Sequence, residues 1–333
     1  MRHLLYGIGL MVLALVGLSG PASAQQHVVL YSANDDTVNR LVADGFKQAT
    51  GITVDVVSTG SGVLFRRIAS EQASPQADVV WGVSSSLLKQ NAQYLQPYAA
   101  KGRDAVPAQF RDPNDLWLGT NLQVLMIAQN TKAIDAGAGP KSWGDLLDPK
   151  WKGKIAYTDP ANSGFSYVAA TFLLGLWGND EGAWSKLSRL LANTKVLNRS
   201  TLVFDGNGSG EYPLGISIEY AGYLWAHNGA PVQVIYPSDG TTALAEGVAV
   251  LKGAPNLDAA KKLIDYLASK ETQEKLLRAT FRRPARQDID LSAVAEQMKP
   301  LTALKILPYD DAHWENARRD TLARLKTTIQ NTR

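Results

Sequence analysis

Cysteine is absent from all 333 residues. That excludes disulfide staples, thiolate metal sites and thiol nucleophiles, so the fold must be held by its apolar core. Histidine is scarce. Beyond His3 there are only His27, His227 and His313, far apart in the chain. None sits in an H-E-x-x-H metal motif, and no G-x-S-x-G elbow or strand-linked G-x-G-x-x-G loop occurs. An excess of one charge is missing too. The 34 Lys and Arg nearly balance 31 Asp and Glu, which argues against a nucleic-acid or membrane binder. Neither an internal repeat nor a low-complexity tract is present. Past residue 18, no apolar run approaches the roughly 20 residues that a membrane helix needs.

What is present begins with a leader. Arg2 and His3 precede an apolar stretch from Leu4 to Leu18, Gly20-Pro21 breaks it, and Ala22-Ser23-Ala24 forms an A-x-A cleavage site. The pattern predicts a signal peptide over 1–24, cleavage before Gln25, and a soluble exported chain. That chain is long enough for two domains.

Apolar periodicity then alternates between strand and helix. Val28–Ser32, Ile52–Ser58 and Ala77–Val83 read as strands. Between them lie helices over Asp35–Thr50, with Val38, Leu41, Val42 and Phe46 inward and Gly51 as its stop, and over Gly62–Ala73. Ser84-Ser85-Ser86 offer hydroxyl caps to a further helix. Trp117–Gln129, Lys154–Thr158, Lys195–Leu197, Tyr212–Tyr220, Val232–Tyr236 and Glu246–Leu251 read as later strands. Helices are expected over Lys141–Leu147, from Gly164 to Trp177, over Glu181–Thr194, after Asn256, and through most of the chain past Leu291. Alternation with continuous apolar strands predicts an α/β fold around a largely parallel sheet.

In such sheets ligands bind beyond the carboxyl ends of the strands. The residues there are Ser32 and Asn34, Thr59-Gly60-Ser61-Gly62, Ser84 to Ser86, Asn162 to Gly164, Ser200-Thr201, and Glu219-Tyr220. Small hydroxyls and glycines recur before helices, where first-turn N–H groups and the helix dipole favour an anion. The turn at Thr59 lacks the Lys-Ser/Thr pair of a nucleotide P-loop. Glu211 and Glu219 could be read as an acid/base pair, but a solvated charge and a ligand contact is the simpler reading. Asp205-Gly206-Asn207-Gly208 lacks calcium-loop spacing and reads as a loop. No catalytic constellation emerges, so a binding protein is expected rather than an enzyme. An exported hydrolase is kept as a distant third reading.

Several patterns together carry a family resemblance: V-L-Y-S-A-N-D, S-T-G-S-G-V-L-F-R-R-I, S-P-Q-A-D-V-V-W-G, W-K-G-K-I-A-Y-T-D-P, Y-P-S-D-G-T-T-A, and K-K-L-I-D-Y-L-A-S-K-E followed by R-R-P-A-R. In order, over about Val28 to Ile289, they resemble a bacterial extracellular solute-binding protein of an ABC importer. The branch resembled contains ferric-ion, 2-aminoethylphosphonate and hexose-phosphate receptors. The resemblance implies a two-lobe periplasmic binding protein fold of type II, with the ligand in the cleft. Lobe one would be 25–119 plus 243–290, and lobe two 120–242 plus 291–333. It implies a periplasmic monomer that hands a small anionic ligand to an inner-membrane ABC permease, with no cofactor and no nucleic-acid partner.

Ferric receptors of this type use two adjacent tyrosines, often with His. Here the matching stretch is Glu219-Tyr220-Ala221-Gly222-Tyr223, and Asn34 stands where such a receptor can place His. Hard Fe³⁺ prefers anionic oxygen, so iron on Tyr220 ranks second. The phosphonate and sugar-phosphate branches bind a tetrahedral anion with hydroxyls and helix amides. Ser32, Thr59, Ser61, Ser163, Ser200 and Thr201 suit that work, with Trp81 as a cleft wall or core residue. Glu219 would accept a sugar hydroxyl or an ammonium group.

Overall fold

The computed structural model describes residues 26–332 apart from 136, 294 and 296. The leader expected over 1–24 lies outside the described residues. The chain opens as β1 (His27–Ser32), α1 (Asp36–Thr50), β2 (Thr53–Ser58), α2 (Ser61–Ser70), β3 (Val79–Ser84) and α3 (Ser85–Gln90). A short β4 (Leu95–Gln96) leads to the long β5 (Leu118–Asn130). Next come β6 (Ile155–Thr158), α4 (Gly164–Leu176), α5 (Glu181–Asn193), β7 (Thr194–Leu197), α6 (Ser200–Ser209), β8 (Leu214–Ile218), α7 (Glu219–His227) and β9 (Val232–Ile235). The return passes through β10 (Ala243–Leu251), α8 (Leu257–Ala268), α9 (Lys270–Thr280) and β11 (Arg283–Pro284), and ends in α10 (Asp311–Asn316) and α11 (Arg318–Asn331).

Local chemistry sets most of these boundaries. Asp35 caps α1 by accepting the Val38 N–H at 3.0 Å. Gly51 ends that helix in the left-handed region at φ 74°, where glycine carries no Cβ penalty. Val38, Val42 and Phe46 are buried beneath it, but Leu41 is turned outward. Ser84 caps α3. On α8, Ala260, Leu263, Ile264 and Leu267 all face inward.

The sheet runs β2-β1-β3-β10-β5-β8-β6-β7. Parallel sets occur at both ends, β2-β1-β3 and β8-β6-β7. The middle is antiparallel, because β10 opposes β3 and β5, and β5 opposes β8. The expectation of a largely parallel sheet is therefore corrected. One strand carries the chain out of the first half and another brings it back, so the two must run in opposite directions. On β5, Leu118 to Val124 pair with β10, and Leu125 to Gln129 pair with β8. The core divides at the same place. Leu30, Val80, Trp81, Val124, Val248 and Leu263 belong to one buried cluster. Leu125, Ile127, Trp143, Phe172, Leu214 and Trp314 belong to another. Each fully buried side chain of this size contributes about 1.5–3 kcal/mol.

Three local expectations are also corrected. The strand expected over Tyr212–Tyr220 ends at Ile218, and Glu219 opens α7. Among the described residues from Leu291 to Asp310 there is only a short 3₁₀ turn at Leu301–Ala303, and α-helix begins at Asp311. Pro300 and Pro308 withhold backbone donors there. Asp205-Gly206-Asn207-Gly208 lies inside α6 rather than in a loop. Its glycines allow close packing: a Cβ on Gly206 would fall 2.5 Å from the Tyr212 ring. Buried Asn207 donates to the Tyr212 carbonyl at 3.0 Å. Packing outweighs the low helix propensity of glycine.

Gly206→Ala is expected to destabilise the protein by about 1–3 kcal/mol, because the new methyl overpacks against Tyr212. Gly175→Ala, on exposed helix with nothing within 4 Å of the new Cβ, is expected to stabilise by up to about 1 kcal/mol. Denaturant unfolding of both variants measures the contrast.

Candidate functional site

Strand register places the site. Ser84, the last residue of β3, lies opposite Glu246, and Val79 lies opposite Val250. Ile218, the last residue of β8, lies opposite Leu125, and Leu214 opposite Gln129. The carboxyl ends of both parallel sets therefore converge where β5 changes partner. The helices that follow these strands begin at this boundary: α1, α2 and α3 on one side, and α4, α6 and α7 on the other. A cavity of about 370 Å³ lined by Ile68, Pro75, Tyr94 and Lys252 lies at the far end of β10 and holds none of the expected site residues.

The helix starts differ in how their amides are used. Asp35, Ser84 and Ser163 cap α1, α3 and α4 with their own side chains. The caps of α2, α6 and α7, which are Gly60, Arg199 and Ile218, make no side-chain cap bond, and buried Glu219 fills the start of α7. Around α2 the space is open. A Cβ on Gly60 would meet nothing within 4 Å, and one on Gly62 would meet only the Arg66 guanidinium at 3.6 Å. Half-buried Thr59 donates its N–H to the Ser32 carbonyl at 3.1 Å, and half-buried Ser61 starts the helix. Opposite, Ser200 Oγ lies 3.5 Å from Ser163 Oγ and 3.3 Å from Thr158 Oγ1. This hydroxyl chain draws the starts of α4 and α6 together. Thr201 is exposed beside it.

Other expected residues are engaged internally. Ser32 is fully buried. Its hydroxyl donates to Asn39 Oδ1 at 2.6 Å and accepts from the Asn34 N–H at 3.1 Å. Asn34 donates its side-chain N–H to Ser32 Oγ at 3.2 Å and rests on Gly82, where a Cβ would come within 2.3 Å of it. Trp81 is 1% exposed, and its indole N–H donates to Thr120 Oγ1 at 3.0 Å. These three brace the floor beneath the turn. Ser84 is exposed and occupied in capping.

Glu219 is also buried, at 1% exposure. Its carboxylate receives Arg283 in a bidentate grip, from Nε at 2.8 Å and from Nη2 at 2.6 Å. The Tyr236 hydroxyl donates to it as well. Arg283 also donates to the Lys299 carbonyl at 2.6 Å, and Tyr223 donates to the Gln297 carbonyl at 2.7 Å. Burial and the Glu219 charge push the Tyr236 phenol far above its ordinary value. Buried and accepting three hydrogen bonds, Glu219 braces the joint behind the site.

Its neighbour Tyr220 faces the boundary. The Arg282 guanidinium lies 4.7 Å from the centre of the Tyr220 ring. Arg282 donates to Asp35 Oδ2 at 3.1 Å and to Glu246 Oε2 at 3.3 Å. Glu246 is further held by Asn121 at 2.7 Å and by Gln123. Burial raises the Tyr220 phenol; Arg282 opposes that rise, and Glu246 and Asp35 add to it. Burial likewise raises the Glu246 carboxyl, against the pull of Arg282. Asp35, Glu246, Arg282 and Arg283 were not among the residues expected at the site. One signal was available in the sequence: Glu246 is the only charge in the otherwise apolar stretch Ala243–Leu251.

Two halves whose helix starts oppose each other across shared strands define a two-lobed binder of small solutes, the type II periplasmic binding fold. The chain belongs to the bacterial extracellular solute-binding proteins, whose family model matches residues 74–313. A putative 2-aminoethylphosphonate-binding periplasmic protein of Salmonella paratyphi A is 29% identical over 86% of each chain. A probable ABC transporter periplasmic-binding protein of Sinorhizobium fredii is 30% identical over 77% of this chain and 73% of its own. Iron uptake protein A1 of Synechocystis is 26% identical over 80% of this chain and 78% of its own. Among solved structures, the periplasmic binding protein AfuA of Actinobacillus pleuropneumoniae, with exogenous fructose-6-phosphate bound, superposes at TM-score 0.80. It is 28% identical and covers 92% of this chain and 99% of its own.

Removing one partner of the Glu219–Arg283 pair leaves a buried charge uncompensated. Arg283→Met is expected to cost about 3–5 kcal/mol. The double variant Glu219→Leu/Arg283→Met should recover most of that loss. Equilibrium unfolding of the single and double variants checks both expectations.

Proposed function

We propose that this protein is the periplasmic receptor of an ABC importer for a small organic anion, either an organophosphonate such as 2-aminoethylphosphonate or a sugar phosphate. The observation that carries the reading is the pair of opposed helix starts, α2 and α6, whose first-turn amides have no side-chain cap. Oriented N–H groups and the positive helix end suit a tetrahedral anion. Neutral hydroxyls at Thr59, Ser61, Ser163, Ser200 and Thr201 add donors without a fixed countercharge. The family supports a receptor rather than an enzyme.

In this reading the leader over 1–24 is removed and the mature chain works as a periplasmic monomer alongside its membrane permease. The lobes are 25–119 plus 243–290, and 120–242 plus 291–333. Ligand contacts to both lobes favour the closed form by hinge motion. Trp314, Leu325 and Ile329 support assigning the C-terminal helices to lobe two, because they join its core.

Ferric iron is the second reading, supported by the likeness to iron uptake protein A1. The surroundings of Tyr220 disfavour it. Its phenol is raised by burial, a guanidinium already covers its ring, and Ala221 occupies the place of a second tyrosine.

Each charge-assisted hydrogen bond contributes about 1.5–3 kcal/mol. Ser61→Ala is therefore expected to weaken anion binding about ten- to a hundredfold, with little change in thermal stability. Gly62→Val should weaken it further by filling the approach to the amides. Calorimetry with 2-aminoethylphosphonate and glucose 6-phosphate measures this, and wild-type affinity in both variants would refute the role of the turn. A ferric titration that gave a strong visible charge-transfer band, lost in Tyr220→Phe, would replace the anion reading with iron.

A further inference from the structure

We infer that Asp35, held by Arg282 and faced by Tyr220, accepts a primary ammonium group of the ligand, so that the ligand class is a short aminoalkyl anion. This rests on the anion-receptor reading above and narrows it.

The first support is a charge count. Two carboxylates, Asp35 and Glu246, share one guanidinium at 3.1 and 3.3 Å. The charges that act on Tyr220 are these three. With both carboxylates ionised, a state that burial opposes at Glu246 and that Arg282, Asn121 and Gln123 favour there, the cluster is one positive charge short of neutral. A monovalent cation makes up the difference. A trivalent ion would leave the cluster positive even after Tyr220 lost its proton.

Accessibility selects between the two carboxylates. Glu246 is deeply placed and held by Arg282, Asn121 and Gln123. The Asp35 side chain is 57% exposed. It uses Oδ1 for the Val38 N–H and Oδ2 for Arg282. A carboxylate offers about four lone-pair sites, so acceptor capacity remains on the open side. Glu219 is 1% exposed and already accepts three hydrogen bonds, from Arg283 and Tyr236.

Arg282 gives a second, independent sign of a binding site. It is 8% exposed, and its Nε–H is buried without an acceptor. Buried donors are nearly always satisfied, so an unmatched one beside an open carboxylate marks a place where a ligand oxygen can complete the set. The guanidinium is fixed by two carboxylates and the Tyr220 ring, which keeps Asp35 oriented at the boundary.

The anion pole lies next door. Ser58 Oγ donates to the Asn34 carbonyl at 3.0 Å, and the Thr59 N–H donates to the Ser32 carbonyl at 3.1 Å. The turn before α2 therefore runs beside residues 32–35. Neighbouring strands lie about 4.8 Å apart. An anion on the turn and an ammonium on Asp35 would thus follow the ends of paired neighbouring strands, an adjacency that suits a short carbon chain between the two groups. Tyr220 comes from the opposite half, so the ammonium end would meet both lobes.

The test is calorimetry on the mature chain with 2-aminoethylphosphonate, ethylphosphonate and glucose 6-phosphate. Ethylphosphonate keeps the anion and lacks the amine. Wild type is expected to bind 2-aminoethylphosphonate at least tenfold more tightly than ethylphosphonate. Asp35→Asn, which retains a capping oxygen, is expected to reduce that ratio to near one, with thermal melts confirming the fold. Equal wild-type affinity for the two phosphonates, or an unchanged ratio in Asp35→Asn, overturns the inference. Binding of glucose 6-phosphate without 2-aminoethylphosphonate overturns it and leaves the anion-receptor reading standing. If none of the three binds, both fall.

Discussion

The buried ion pair between Glu219 and Arg283 is the constraint on which the front of the molecule depends. Taking two charges out of water costs several kcal/mol per ion unless geometry and hydrogen bonds compensate. Here the grip is bidentate, and the Tyr236 hydroxyl and the Lys299 carbonyl complete it. The pair joins the start of α7, in the second half, to β11, beside the first half. In extended chain successive side chains point to opposite sides. With Arg283 locked behind the boundary, Arg282 is therefore delivered to the front. Glu219 and Tyr220, the first two residues of α7, also divide: Glu219 takes Arg283, and Tyr220 lies against the Arg282 guanidinium.

Helix starts provide the second level of organisation. Six of them converge at the boundary, yet they are not equivalent. Side-chain caps at Asp35, Ser84 and Ser163 satisfy amides from within the chain. At α2, α6 and α7 no side chain caps the start. An uncapped helix start facing open space is a donor array with no acceptor, and the glycines at 60 and 62 keep the approach clear. The floor residues Ser32, Asn34 and Trp81 matter to this arrangement by position. They tie the ends of β1 and β3 together beneath the turn.

Local grammar is legible in the residues alone. The apolar spacing of Val38, Val42 and Phe46 and the Gly51 stop mark α1, the β-branched runs mark β1 to β3, and the glycine, serine and threonine turns before helices can be read off directly. Local patterns also carried the family resemblance. These features depend on interactions within a few residues, which composition and spacing record directly.

Tertiary structure decided the rest, because the deciding contacts are distant in sequence. Arg282 and Asp35 are 247 positions apart, and Arg283 and Glu219 are 64 apart. No local propensity ranks one carboxylate as buried and another as open. Glu219 is taken up by the joint and Asp35 is left at the boundary because of sheet register and the path of the returning chain. Trp81 faces the core for the same reason, and α6 continues through two glycines because Tyr212 and Trp225 pack against them. A side chain's identity sets what it can bond to. Which partners reach it is settled only when the strands are paired.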